Sequence, residues 1–158
     1  MAWSNSRVFI QTMVDQLDGT QVLDLDTDTF NVSLYNDTIT PSHTVAATAA
    51  AKAGGVWASG EVFEAGEWPT GGRPLVTPDV TSVTSQYVRW DAADTASVGA
   101  TADLAAVFGC HIYDDTATTP QADAGVCYIY FGGTNSVTNG TFTVVWAATG
   151  IFQMDLGA

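Results

Sequence analysis

The chain has 158 residues, enough for one domain to close a hydrophobic core without metals or disulfides. Its 17 Asp and Glu residues against Arg7, Lys52, Arg73 and Arg89 leave a net charge of −13. That field repels nucleic-acid phosphates and anionic headgroups, so neither nucleic acid nor membrane is an expected partner.

Only 13% of the residues are charged, against roughly 25% in ordinary soluble domains, so the exterior has to be built from Thr, Ser, Asn, Gly and Ala. Such a surface suits contact with another protein. Residues 1–7 lack the basic stretch and apolar run of an export signal, and no apolar segment reaches the roughly 20 residues of a membrane-spanning helix. The expectation is an uncleaved, soluble protein made in a reducing cytoplasm, where Cys110 and Cys127 stay as free thiols.

Residues 7–17 read either as an opening strand or as a helix that stops at Gly19. Asp24, Asp26 and Asp28 alternate along a segment read as extended, which puts three carboxylates on one face. Hard oxygen ligands in that pattern can chelate Ca²⁺, but the calcium-loop motif would need Gly and Glu where Thr29 and Tyr35 stand. A solvated edge face whose charge discourages edge-to-edge pairing is the preferred reading, and no metal is expected.

Residues 28–35 show strict period-2 alternation, with Phe30, Val32 and Leu34 pointing one way and Asn31, Ser33 and Tyr35 the other, the pattern of a half-buried strand. From 44 to 80 that order is lost. An Ala-rich run gives way to Gly54-Gly55, then to Glu61, Glu64 and Glu67 among aromatics, then to Gly71-Gly72. This segment reads as a long irregular arm within a single domain spanning 1–158, and removal of 44–72 is expected to spare folding. Trp57, Phe63 and Trp68 are candidate partner-binding residues, because aromatic rings bury a large rigid area at interface centres. The alternative is that they fold back over the domain.

Residues 81–91 read as one strand, and Leu104, Val107 and Phe108 fall on one side of a possible short helix over 102–108. Strands follow at 109–113, 126–131, 141–146 and 151–156, separated by turn-forming clusters, and the last three are expected to pair in order. The connection at 135–140 supplies three more candidate contact residues, Asn135, Val137 and Asn139. Cys110 and Cys127 sit symmetrically about a turn near Thr118 and Thr119, so a bridge across that hairpin stays open beside the two free thiols. Residues 34–41 are echoed at 112–120, and each copy ends a strand in an Asn or Asp turn whose side chain accepts backbone N–H groups. The fold class is all-β, an antiparallel β-sandwich or jelly-roll-like barrel with at most short helices.

His43 and His111 are the only histidines, and neither lies near a nucleophile motif. No serine elbow, phosphate loop, zinc-protease helix motif or dinucleotide fingerprint occurs, and Cys110 lacks the positive surroundings that activate a thiol. No enzymatic activity and no cofactor are expected.

The run Val126-Cys127-Tyr128-Ile129-Tyr130-Phe131-Gly132-Gly133, the stretch 136–146 and Gly150-Ile151-Phe152 resemble small virion proteins of tailed bacteriophages, of the capsid decoration or minor capsid type. Residues 6–11 and 34–38 fit the same group, so the resemblance spans most of the chain, though it is weak through 44–80. The resemblance implies a place on the capsid exterior, binding to the major capsid protein lattice, and self-association as a homotrimer. A tail or fibre adhesin that binds a host surface glycan is the alternative.

Overall fold

The computed structural model describes residues 3–83 and 86–157. In chain order the elements are β1 (Arg7–Val8), α1 (Ile10–Asp18), β2 (Phe30–Tyr35), α2 (Ala47–Ala50), a 3-10 turn (Gly55–Ala58), β3 (Glu61–Val62) and β4 (Arg73–Pro74). Then come β5 (Val76–Ser82), β6 (Tyr87–Ala93), β7 (Thr95–Ala96), β8 (Ala102–Asp114), β9 (Ala124–Gly140), β10 (Thr143–Val144) and β11 (Phe152–Asp155). The fold is all-β and sandwich-like, with antiparallel pairing throughout.

The main sheet runs β1-β9-β8-β2-β3, with β4 also paired to β2. One of its faces packs on the smaller sheets β11-β6-β5 and β10-β7. Phe30, Val32 and Leu34 of β2 join Cys110, Ile112 and Cys127 there, against Trp90, Val144 and Ile151 from the other layer. The opposite face is also covered. Tyr35 and Tyr128 pack under Trp3, Phe9, Ile39, Ala50 and Trp57, so β2 is buried on both sides from Val32 onward and is not the half-buried strand its alternation predicts.

The arm expected at 44–80 is part of the body. α2 and the 3-10 turn roof the second core, β3 and β4 add to the edge of β2, and β5 opens the smaller sheet. Its three glutamates act as staples: Glu61 accepts from Lys52 Nζ at 3.0 Å and from Gly71 N at 2.8 Å. Glu64 accepts from Asp103 N at 2.6 Å, and Glu67 accepts from Gly99 N at 2.7 Å and Thr101 Oγ1 at 2.5 Å. These bonds hold Glu67 below the usual carboxylate range, the Thr101 hydroxyl contributing most. Where the sequence looks irregular, side-chain to backbone bonds replace the sheet ladder.

Gly72 closes the arm against β2. Its φ is +96°, and a Cβ there would stand 2.1 Å from the Val32 carbonyl oxygen. Gly72→Ala is expected to cost at least about 2 kcal/mol from left-handed strain plus backbone collision, read out as a lower urea midpoint at unchanged slope.

Other local expectations change for identifiable reasons. The segment 102–108 is strand, because Ala106 adopts φ +55° in a bulge of β8. That extra residue places Leu104 and Val107, three apart, on the same buried face and imitates helical spacing. The single strand read at 81–91 is two, β5 and β6, whose connection includes residues outside those described. The last strands do not pair in order. β9 pairs with β1 and β8, while β10 crosses to β7 and β11 to β6, since the chain must change layers after Gly140 to cover the core.

Candidate interaction surface

The helix left open at 7–17 forms, after a short β1, and ends as read at Gly19 with φ +78°. It is fixed to the body by polar groups. Thr12, almost fully buried, donates its hydroxyl to the Gly125 carbonyl at 2.6 Å, and the Ile10 N–H donates to the His43 carbonyl at 3.0 Å. The Gln16 side chain donates to the Leu23 carbonyl at 2.9 Å and accepts from the Leu23 N–H at 2.6 Å, drawing the segment after the helix back alongside it.

Three of the four apolar residues of α1 face outward, and the fourth, Met13, is half-buried. Ile10 is 51% exposed, Val14 46% and Leu17 88%, and Val22 in the returning segment is 73% exposed. Positions 10, 14 and 17 share one helix face by their spacing of four and three. An amphipathic surface helix normally buries such a stripe. Here the one fully buried position, Thr12, is polar, while Ile10, Val14 and Leu17 are exposed, so this stripe costs free energy unless another surface covers it. Asp15 and Asp18 belong to the same helix; Thr20 N–H and hydroxyl bonds keep Asp18 below the usual carboxylate range.

The residues chosen from sequence are placed differently. Trp57 and Trp68 are interior: Trp57 stacks at 4.4 Å on His111, and Trp68 donates its indole N–H to the Val32 carbonyl at 3.1 Å. Both rings fold back and have no surface to offer a partner. Phe63 stays 54% exposed. Asn135, Val137 and Asn139 are not on a tip, because β9 continues through them beside the first half of β8. Asn135 Nδ2 donates to the Val107 carbonyl at 3.5 Å and the Gly133 carbonyl at 3.0 Å, Val137 packs against the core, and the Asn139 N–H donates to Asp103 Oδ1 at 2.8 Å. Turn-forming composition concealed a strand whose ladder is supplemented by side chains.

Asp24, Asp26 and Asp28 lie in a turn and not along an extended edge. Each carboxylate serves the backbone: Asp24 Oδ1 accepts from the Asp26 and Thr27 N–H groups at 3.1 and 3.2 Å. Asp28 Oδ2 accepts from Asp24 N at 2.7 Å, and Asp26 Oδ1 accepts from Val80 N at 2.6 Å. Among the described residues no three His, Cys, Asp or Glu side chains come together to hold an ion. The repeated turns match the expectation. Asn36 Oδ1 accepts from Thr38 N at 2.9 Å, and Asp114 Oδ1 accepts from Thr116 N at 2.7 Å, at corresponding positions of the two copies.

Cys110 and Cys127 are free and buried. The register sets Cys110 opposite Ile129 and Cys127 opposite Ile112, so the two thiols are diagonal neighbours. Burial raises both above the ordinary thiol range, the reverse of what a nucleophile requires. His111 is enclosed between Trp57 and Tyr113, and its Nε2–H donates to the Ala50 carbonyl at 2.9 Å, which fixes the tautomer because a carbonyl only accepts. Desolvation lowers its pKa to about 3, so it is neutral in the folded protein.

No family model, curated protein or solved structure matches this chain. The outward face of α1 is therefore judged on its own geometry. Its signal was present in the sequence as Ile10, Val14 and Leu17 at helical spacing, but spacing alone does not say which face of a helix is buried.

Proposed function

We propose that this protein is a capsid decoration protein of a tailed-phage head, seated on the outer lattice of the major capsid protein through the exposed face of α1. The observation that carries the reading is a helix pinned to its domain by polar side chains while Ile10, Val14 and Leu17 face solvent. The likeness of residues 126–133, 136–146 and 150–152 to small virion proteins supplies the class of partner. Stapled loops and two cores suit a part that adds burial to a shell, and covering the stripe contributes roughly 25 cal/mol per Å² before association entropy is subtracted. The carboxylates keep unassembled subunits apart, and self-association as trimers belongs to the bound state in this reading.

Leu17→Asp should leave the melting temperature within about 2 °C of the parent, since that side chain touches little, and reduce occupancy on purified heads at least about tenfold. Mass spectrometric copy counting and cryo-electron microscopy check both parts. Hundreds of copies spread over the head support the reading. A handful at one vertex, as for an adhesin, or undiminished occupancy by the variant would overturn it.

A further inference from the structure

A second surface, built from other residues, runs along the outer edge of β9. β1 pairs with β9 only at Tyr128 and Cys127, and the Ser6 hydroxyl then accepts the Tyr130 N–H at 3.0 Å. Beyond that point, among the described residues, no strand pairs with this edge. The loop from β10 to β11 stands across from it, and a groove of about 460 Å³ with a mixed polar and apolar lining lies between, bounded by Ser6, Ile129, Phe131, Val145, Trp146 and Thr149 among others. It continues at one end into a hollow of about 200 Å³ beside Arg7 and Val8, and at the other into one of about 130 Å³ beside Asn135 and Phe142.

Two details point to an occupant with an extended backbone. Gly132 needs glycine for its φ of +83°, but Gly133 does not: its φ is ordinary, and an added Cβ would meet nothing within 4 Å. Neither strain nor crowding by the described residues accounts for it. A bare backbone on a strand edge is what a second backbone needs for close approach. The other detail is charge. In a chain with 17 acidic residues, no carboxylate among the described residues lines any of the three hollows, and the one charged lining residue among them is Arg7.

We propose that this groove is a strand-addition site that takes an extended segment of a partner protein with alternating apolar and polar residues and acidic flanks. Main-chain bonds to the β9 edge would supply affinity, while Phe131, Val145 and Trp146 receive alternate side chains and Arg7 selects for negative charge.

The test uses the full ¹⁵N-labelled chain and eight-residue peptides of alternating Val and Thr ending in Asp, ending in Lys, or ending in Asp with a central Pro. The Asp-ended peptide should shift amides at 129–135 and 144–151 and bind at least about tenfold more tightly than either other peptide. Val145→Asp, on a side chain 70% exposed, should keep the parent circular dichroism and lose the binding. Arg7→Glu should reverse the preference toward the Lys-ended peptide. Leu17→Asp should bind the peptide normally, which separates this site from the α1 face. Equal binding of all three peptides, shifts elsewhere or no shifts would overturn the proposal, as would edge protection that rises with protein concentration in the absence of peptide.

Discussion

Acid is expected to unfold this protein from well above the carboxylate range, through His111. The unfolded chain takes up a proton on this residue near pH 6.5, whereas the folded chain resists it down to about 3. Above pH 6.5 both states hold a neutral imidazole and the stability is intact. As pH falls below 6.5, the unfolded state binds the proton and the native state does not, so stability is lost by about 1.4 kcal/mol per unit. By pH 4.5 the loss reaches a few kcal/mol, a large share of the stability of an ordinary domain.

The cause is specific. His111 has Trp57 and Tyr113 on its two faces, Phe9 and Tyr35 at its edges, and Lys52 near enough to disfavour a second positive charge. Urea unfolding between pH 7.5 and 4.5 gives the slope directly. His111→Phe should lower stability at pH 7.5, since the Ala50 carbonyl loses its donor, and should flatten the dependence between pH 6.5 and 5. A parent slope near zero in that window would show that the folded protein admits the proton.

The second large effect concerns the segment read from sequence as a dispensable arm. Trp57→Ala should cost about 3–5 kcal/mol, because the ring is almost fully buried among Trp3, Phe9, Tyr35 and Tyr128, and its removal leaves a cavity that rigid neighbours cannot fill. The Tyr35 hydroxyl also donates to the Trp57 carbonyl at 2.9 Å, so displacing this turn strands a buried polar group. Deletion of 44–72 should abolish folding, contrary to the expectation from composition. It removes Trp57, Trp68, β3 and all three glutamate staples at once. Circular dichroism and thermal melts of the two variants decide it. A deletion variant with a cooperative transition would restore the arm.

Much of the fold was legible because local chemistry and tertiary structure agree in places. The alternation of Phe30, Val32 and Leu34 identified the inward face of β2, Gly19 marked the end of α1, and the two Asx turns followed from Asn36 and Asp114. The errors share one cause, that composition reports propensity while pairing is a long-range event. Asn135 to Gly140 has turn composition yet forms strand, because β8 lies beside it and its side chains bond across the bulges. The glutamates of 61–67 look like solvated loop charges until the backbone N–H groups they accept from, up to 39 residues away, are brought close.

The candidate docking face shows the same division most clearly. Sequence by itself determined that Ile10, Val14 and Leu17 would share a side if helix formed, and that a chain of net charge −13 would avoid phosphates. Which side of α1 faces water was decided only in three dimensions. The Gly125 carbonyl and the Leu23 backbone hold Thr12 and Gln16, and the apolar stripe is turned outward as a result. A period of 3.6 fixes the angles between side chains, whereas the direction of burial depends on what the rest of the chain places beneath the helix.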